Sequence, residues 1–154
     1  MKFRKTYSPF PASSATIPVY WNVIYANKTL EGGYMPEAQI TESIDVINKA
    51  YLTTGLSFTL ESFVYTHNKT AFRRLGPGNK FNDEIKQGLR QGGSNALSTC
   101  GQVLRFILEL NFCLDVYTVG FEKGSGEGLL GYATFPRDYE SKASMSLKIE
   151  FRST

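Results

Sequence analysis

The feature that most constrains this chain is a hydrophobic period that changes twice within its first half. Ile17-Pro-Val-Tyr-Trp-Asn-Val-Ile-Tyr25 is dense in β-branched and aromatic residues, and Val19, Trp21, Val23 and Tyr25 share one face at a period of two. Pro18 stands at the start, where a strand tolerates a missing N–H. After Gly32-Gly33 the period lengthens. Ile40, Ile44, Ile47 and Tyr51 recur at helical spacing opposite Glu37, Glu42 and Lys49, and Pro36 suits the first turn of that helix. Thr54-Gly55 ends it, and Leu56-Ser-Phe-Thr-Leu-Glu61 alternates again towards Tyr65. Strand, helix and strand in that order call for a parallel pair joined by a right-handed crossover, so the fold class is α/β (α+β).

The rest of the chain extends this plan. Residues 1–16, rich in Ser, Pro and Thr, read as an extended lead-in. Residues 67–82 read as a surface loop, with Gly76-Pro-Gly-Asn79 as turn chemistry. Asn82 suits the cap of a helix over 83–91, where Ile85 and Leu89 stand at i, i+4 and Gly92-Gly93 ends the run. Residues 114–121 form a third strand and, after a Gly-rich turn, residues 129–135 a fourth. The tail, 141–154, alternates through Met145, Leu147, Ile149 and Phe151 and could add another. Residues 100–113 are apolar nearly all round and lie where a short connection is expected. No internal repeat is visible.

A length of 154 residues with 42% hydrophobic and 14% aromatic content suits one globular domain with a modest core. Seventeen basic and fourteen acidic residues are mixed along the chain for a net charge of +3, which argues against nucleic acid or an anionic membrane as partner. Lys2, Arg4 and Lys5 read as a solvated tail. No run is long and apolar enough to span a bilayer. Tyr7-Ser-Pro-Phe-Pro-Ala-Ser-Ser14 interrupts the apolar stretch that a secretion signal needs, so no signal peptide is expected. Asn27-Lys-Thr29 and Asn68-Lys-Thr70 are glycosylation acceptors if the chain is exported. Cys100 and Cys113 match no zinc or redox spacing, and both a pair and two free thiols stay open.

Candidate chemistry is sparse. Zinc hydrolysis needs three protein ligands, an open coordination position and a base such as Glu. The chain's one histidine, His67, has no carboxylate or thiol at ligand spacing and reads as a surface residue. Gly126-Glu-Gly-Leu-Leu-Gly131 fits the G-x-G-x-x-G pattern, but Tyr132-Ala-Thr-Phe-Pro136 continues as a strand where a dinucleotide site needs a helix. It reads as a glycine turn. No nucleophile elbow is present, and no Ser or Cys set forms around His67. Tyr20, Tyr51, Tyr65 and Tyr117 read as core or sheet aromatics with hydroxyls at the edge. No catalytic residue and no metal ligand is therefore assigned.

Six blocks, in order, resemble secreted zinc metalloproteases of the pappalysin type (the pregnancy-associated plasma protein-A family), within the metzincin superfamily. They are Ile17–Tyr25 as quoted, Gln39-Ile-Thr-Glu-Ser-Ile-Asp-Val-Ile-Asn48, Thr54-Gly-Leu-Ser-Phe58, Leu89-Arg-Gln-Gly-Gly93, Asp115-Val-Tyr-Thr-Val-Gly-Phe121 and Gly128-Leu-Leu-Gly-Tyr-Ala-Thr-Phe-Pro136. The resemblance implies a metzincin-like upper subdomain: a twisted, mostly parallel five-stranded sheet with one antiparallel edge strand and backing helices. It makes residues 128–136 the edge strand above the cleft, with Leu130, Gly131, Tyr132, Ala133 and Thr134 pairing with an extended peptide or protein substrate as an added strand. It also implies an extracellular setting, and zinc as the family's cofactor.

Two departures shape what is expected of this chain itself. Residues 97–113 have no counterpart in the family pattern, and an unspliced intron read as protein would explain them. After residue 139 the family pattern is lost, and a frameshift or early stop would explain that tail. The family's His-Glu-x-x-His-x-x-Gly-x-x-His helix does not follow. The expected organisation is a lead-in over 1–16, a partial metalloprotease domain over 17–139 with the 97–113 insert, and a non-family tail over 140–154. The expected function is the N-terminal part of a zinc metalloendopeptidase domain, binding no zinc and inactive alone. A non-catalytic peptide-binding module using the edge strand and a non-functional gene-model product are the alternatives.

Overall fold

Strand β1 (Ala15–Tyr25) is apolar on both faces, and this sets the positions of the other elements. In the computed structural model, which describes residues 15–78, 80–91, 113–133 and 146–152, Val19, Trp21 and Val23 are buried on one side of β1. Tyr20, Asn22 and Ile24 are buried on the other. A strand covered on both faces is central in its sheet. β1 pairs in parallel with β2 (Leu56–His67) on one side and with β3 (Cys113–Val119) on the other. β5 (Ser146–Arg152) continues in parallel beyond β3, and β4 (Gly131–Ala133) closes the sheet antiparallel to β5. The order is β2-β1-β3-β5-β4, a mostly parallel five-stranded sheet with one antiparallel edge strand. The alternating tail does supply a strand, and that strand lies inside the sheet rather than beyond it.

Helix α1 (Glu37–Tyr51) covers one face, where Ile40 and Ile44, with Met35, pack on Val19, Trp21, Val23, Leu114 and Val116. Pro36 is its N-cap, one position before the first turn. Tyr51, expected on the apolar stripe, is exposed; its ring meets Phe58 edge-on at 5.2 Å. Gly55, at φ +78°, makes the turn into β2 that a side chain would strain.

The opposite face differs from the sequence reading in two places. Part of the 67–82 loop is a helix, α2 (Lys69–Arg74), capped by Asn68, whose Oδ1 accepts from Ala71 N at 2.9 Å. The physical reason is burial: Ala71, Phe72 and Leu75 pack with Ile24, Tyr117, Val119 and Phe121 as a second core cluster. The next helix, α3 (Lys80–Gln91), begins before Asn82, which is therefore not a cap but a buried residue facing the sheet.

Residues 1–14, 79, 92–112, 134–145 and 153–154 lie outside the described residues. That places Cys100, residues 97–112 of the apolar insert, and Thr134 outside, while Ala15 and Thr16 belong to β1 and Cys113 opens β3. Among the described residues no helix is long and apolar enough to cross a membrane.

Candidate functional site

Strand β4 is short and stands at the end of the sheet. It pairs with β5 through Gly131↔Phe151, Tyr132↔Glu150 and Ala133↔Ile149, and among the described residues no strand lies on its other side. Leu130, just before it, is 76% exposed, and Gly131 and Ala133 are also exposed. The approach is a 3-10 turn over Gly124–Gly126 followed by Gly128 at φ +77°, with Glu127 N donating to Gly124 O and Leu129 N to Gly126 O. The glycine-rich motif is thus a turn into a strand, and no helix opens on it.

The sheet has a second end at β2, but that edge is partly occupied. Asn48 of α1 donates from Nδ2 to Phe58 O at 2.9 Å and accepts from Phe58 N at 2.7 Å. A side-chain amide thereby does for β2 what a neighbouring strand would do, and this protects an edge from pairing with another chain.

Besides its pairing with β5, β4 is joined to α3 by a polar cluster that the sequence does not reveal. Lys86 is only 2% exposed, and its Nζ donates to Tyr132 Oη at 3.1 Å. The Tyr132 hydroxyl in turn donates to Asn82 Oδ1 at 3.4 Å. Nζ also lies 5.1 Å from the Tyr132 ring centroid and 5.3 Å from that of Tyr117, within cation–π range. A buried amine is tolerated only where such partners replace water. The only signal in the sequence is the i, i+4 spacing of Asn82 and Lys86, which puts both on one helix face.

The remaining sequence candidates lie apart from β4. His67 is exposed at the end of β2, where Nε2 donates to Ala26 O at 3.0 Å and the ring lies 5.2 Å from Tyr25. Among the described residues no three His, Cys, Asp or Glu side chains gather as metal ligands, so these residues do not fit the zinc that the family resemblance implies. Tyr65 stacks on Tyr34 at 4.8 Å and donates its hydroxyl to Met35 O at 2.7 Å. Burial raises its pKa above 10.0, with smaller contributions from Tyr34 and Glu37. Asn27 is exposed, and its Oδ1 accepts from Thr29 N at 3.1 Å and from the Thr29 hydroxyl at 2.6 Å. Asn68 is half-buried at the start of α2.

The described residues define a mixed α/β domain whose antiparallel end strand presents backbone outward. In sequence, the chain is similar to fungal proteins named extracellular metalloprotease. The match to one from Uncinocarpus reesii is 34% identical over 128 residues, 80% of this chain and 37% of that protein. One from Verticillium alfalfae is 26% identical over 133 residues, 85% of this chain and 38% of that protein. One from Colletotrichum graminicola is 30% identical over 89 residues, 56% of this chain and 29% of that protein. The chain therefore spans less than two-fifths of the length of these relatives. They support a metalloprotease kinship, with a metal in the family and protein or peptide substrates in general. No family model matches the chain. No solved structure matches it.

Proposed function

We propose that this chain carries the N-terminal, substrate-facing scaffold of an extracellular zinc metalloendopeptidase of the pappalysin type. The observation that carries the reading is the placement of β4: among the described residues the one antiparallel strand, at an end of the sheet, in a chain similar to metalloproteases. In this reading the main chain of Leu130, Gly131, Tyr132, Ala133 and Thr134 pairs with an extended segment of a protein substrate. Backbone hydrogen bonds supply affinity, and alternate side chains supply selectivity. Hydrolysis is assigned to no residue of this chain.

The test is a titration of the isotopically labelled chain with a set of extended octapeptides, followed by amide resonances. Selective shifts and slowed exchange at Gly131–Ala133 are expected. Shifts confined to β2, or none anywhere, would count against the reading. The single histidine and the lack of a gathered ligand set favour a second reading, a module that captures peptides without cutting them. Adding zinc to the same mixtures separates the two: cleavage fragments support a protease, and bound but intact peptides support the module.

In an exported form, Asn27 is the better glycan acceptor of the two sequons. It is exposed and already holds the Thr29 hydroxyl against its side-chain amide, whereas Asn68 is half-buried and engaged as a helix cap. Expression through a yeast secretory pathway, with glycopeptide mass spectrometry of Asn27→Gln and Asn68→Gln, checks this. Occupancy at Asn68 alone would refute it.

A further inference from the structure

The loop that follows β1 is built around one side-chain amide. Thr29 N and the Thr29 hydroxyl both donate to Asn27 Oδ1, at 3.1 and 2.6 Å. That hydroxyl oxygen accepts in turn from Gly32 N at 3.0 Å. Gly32 lies so close beneath the amide that a Cβ there would run into Asn27 Oδ1. Both donors end on the oxygen. Among the described residues Nδ2, the atom a glycan takes, therefore stays outside the loop's hydrogen bonds, on an exposed residue.

The same loop gathers aromatic rings beside that amide. Ala26 N donates to Gly32 O at 2.7 Å and Tyr34 N to Thr29 O at 3.0 Å, which turns the chain back on itself. Tyr34 thereby meets Tyr25 edge-on at 5.0 Å, and His67, the cross-strand partner of Tyr25 in β2, lies 5.2 Å from the same ring. Tyr25 is the last residue of β1, two positions before Asn27. Tyr25 and Tyr34 are half-buried and His67 is exposed, so this corner keeps ring surface in contact with water.

We propose that a glycan on Asn27 is a packed part of the fold, with its first N-acetylglucosamine lying against the Tyr25 ring in the corner formed with Tyr34 and His67. This rests on the reading of an exported chain. In the attachment, Nδ2 bonds to C1 of the sugar and gives up one proton to the transferring enzyme. The C1–O bond of a lipid-diphosphate-linked oligosaccharide breaks, and its electron pair leaves with the diphosphate. Asn27 Oδ1 keeps both of its hydrogen bonds throughout. A β-linked N-acetylglucosamine carries its axial C–H bonds at C1, C3 and C5 on one face. Those polarised C–H groups suit the negative face of an aromatic ring, and the contact removes apolar surface of both from water. The loop is already ordered, so little further conformational entropy is lost.

Two preparations of the Thr70→Ala chain test this, since that change silences the second sequon and leaves the Asn68 cap in place. One is secreted from yeast behind a secretory leader and trimmed by an endoglycosidase to the first sugar. The other is made in bacteria with Asn27 bare. The sugar should raise the melting temperature by about 2–4 °C, the shift that one added ring contact gives a domain of this size. Its axial protons should show nuclear Overhauser contacts to the Tyr25 ring. Tyr25→Phe should keep the rise and Tyr25→Leu should abolish it. If Tyr25→Leu does not fold, the proton contacts of the chain with Tyr25 intact decide. An occupied Asn27 with no rise in melting temperature, or a sugar without contacts to Tyr25, overturns the packing and leaves the export reading standing. An unoccupied Asn27 in the secreted chain overturns the acceptor reading, and the proposal with it.

Discussion

Removing one hydroxyl from β4 should loosen the whole edge strand. Tyr132 Oη accepts from Lys86 Nζ at 3.1 Å and donates to Asn82 Oδ1 at 3.4 Å. Tyr132→Phe keeps the ring, and with it the amine–ring contact at 5.1 Å, but removes both hydrogen bonds. A hydrogen bond to a charged group contributes about 1.5–3 kcal/mol, and the longer neutral one adds little, so a loss of about 2–3 kcal/mol is expected. Because Lys86 is 2% exposed, water does not readily take the place of the lost oxygen. Urea denaturation reads the loss as a shifted midpoint at constant slope. Lys86→Met removes the other partner of the same hydrogen bond. The double mutant should reveal a coupling of about 1–2 kcal/mol between the two side chains. Amide exchange at Gly131–Ala133 should accelerate in Tyr132→Phe while α1 stays protected. A loss below about 0.5 kcal/mol with unchanged exchange at β4 would refute the argument, since the hydroxyl would then not be what holds the strand.

Three further outcomes are expected. Gly126→Ala should destabilise by about 1–3 kcal/mol in thermal melts, as overpacking does; its Cβ would lie 2.5 Å from Leu75 O and 2.6 Å from the Phe121 ring. Asn48→Ala should free both backbone groups of Phe58 and raise self-association through β2, visible by sedimentation, with a stability loss of about 1–2 kcal/mol. Tyr65 should make the fold sensitive to alkali. Its folded pKa is raised above 10.0, so its contribution is complete below pH 10.0 and is lost as pH rises through the higher folded value. Tyr65→Phe should remove that part of the alkaline slope, and an identical slope in both proteins would count against it.

The sequence alone determines the elements whose signal is a local period. The strand at β1, the helix at α1 and the return at β2 follow from residues a few positions apart, and so does the parallel crossover between them. The tail's alternation over 141–154 is compatible with a further strand, and the chain forms one at Ser146–Arg152. The alternation does not show that this strand inserts between β3 and β4, because strand neighbours are chosen by contacts remote in sequence. α2 is too short for a period to register, and its cap, Asn68, reads first as part of a sequon. Lys86 illustrates the same limit in a single residue. On sequence a lysine belongs to a solvated face, and its burial is made tolerable by partners remote in sequence, Tyr117 and Tyr132 among them. Lys123 likewise comes beside α2 only through the packing of Phe72 and the loop's hydrogen bonds to Arg73. Local periodicity therefore marks the longer strands and helices, whereas short elements, pairing order and edge exposure depend on through-space neighbours that only the folded chain supplies.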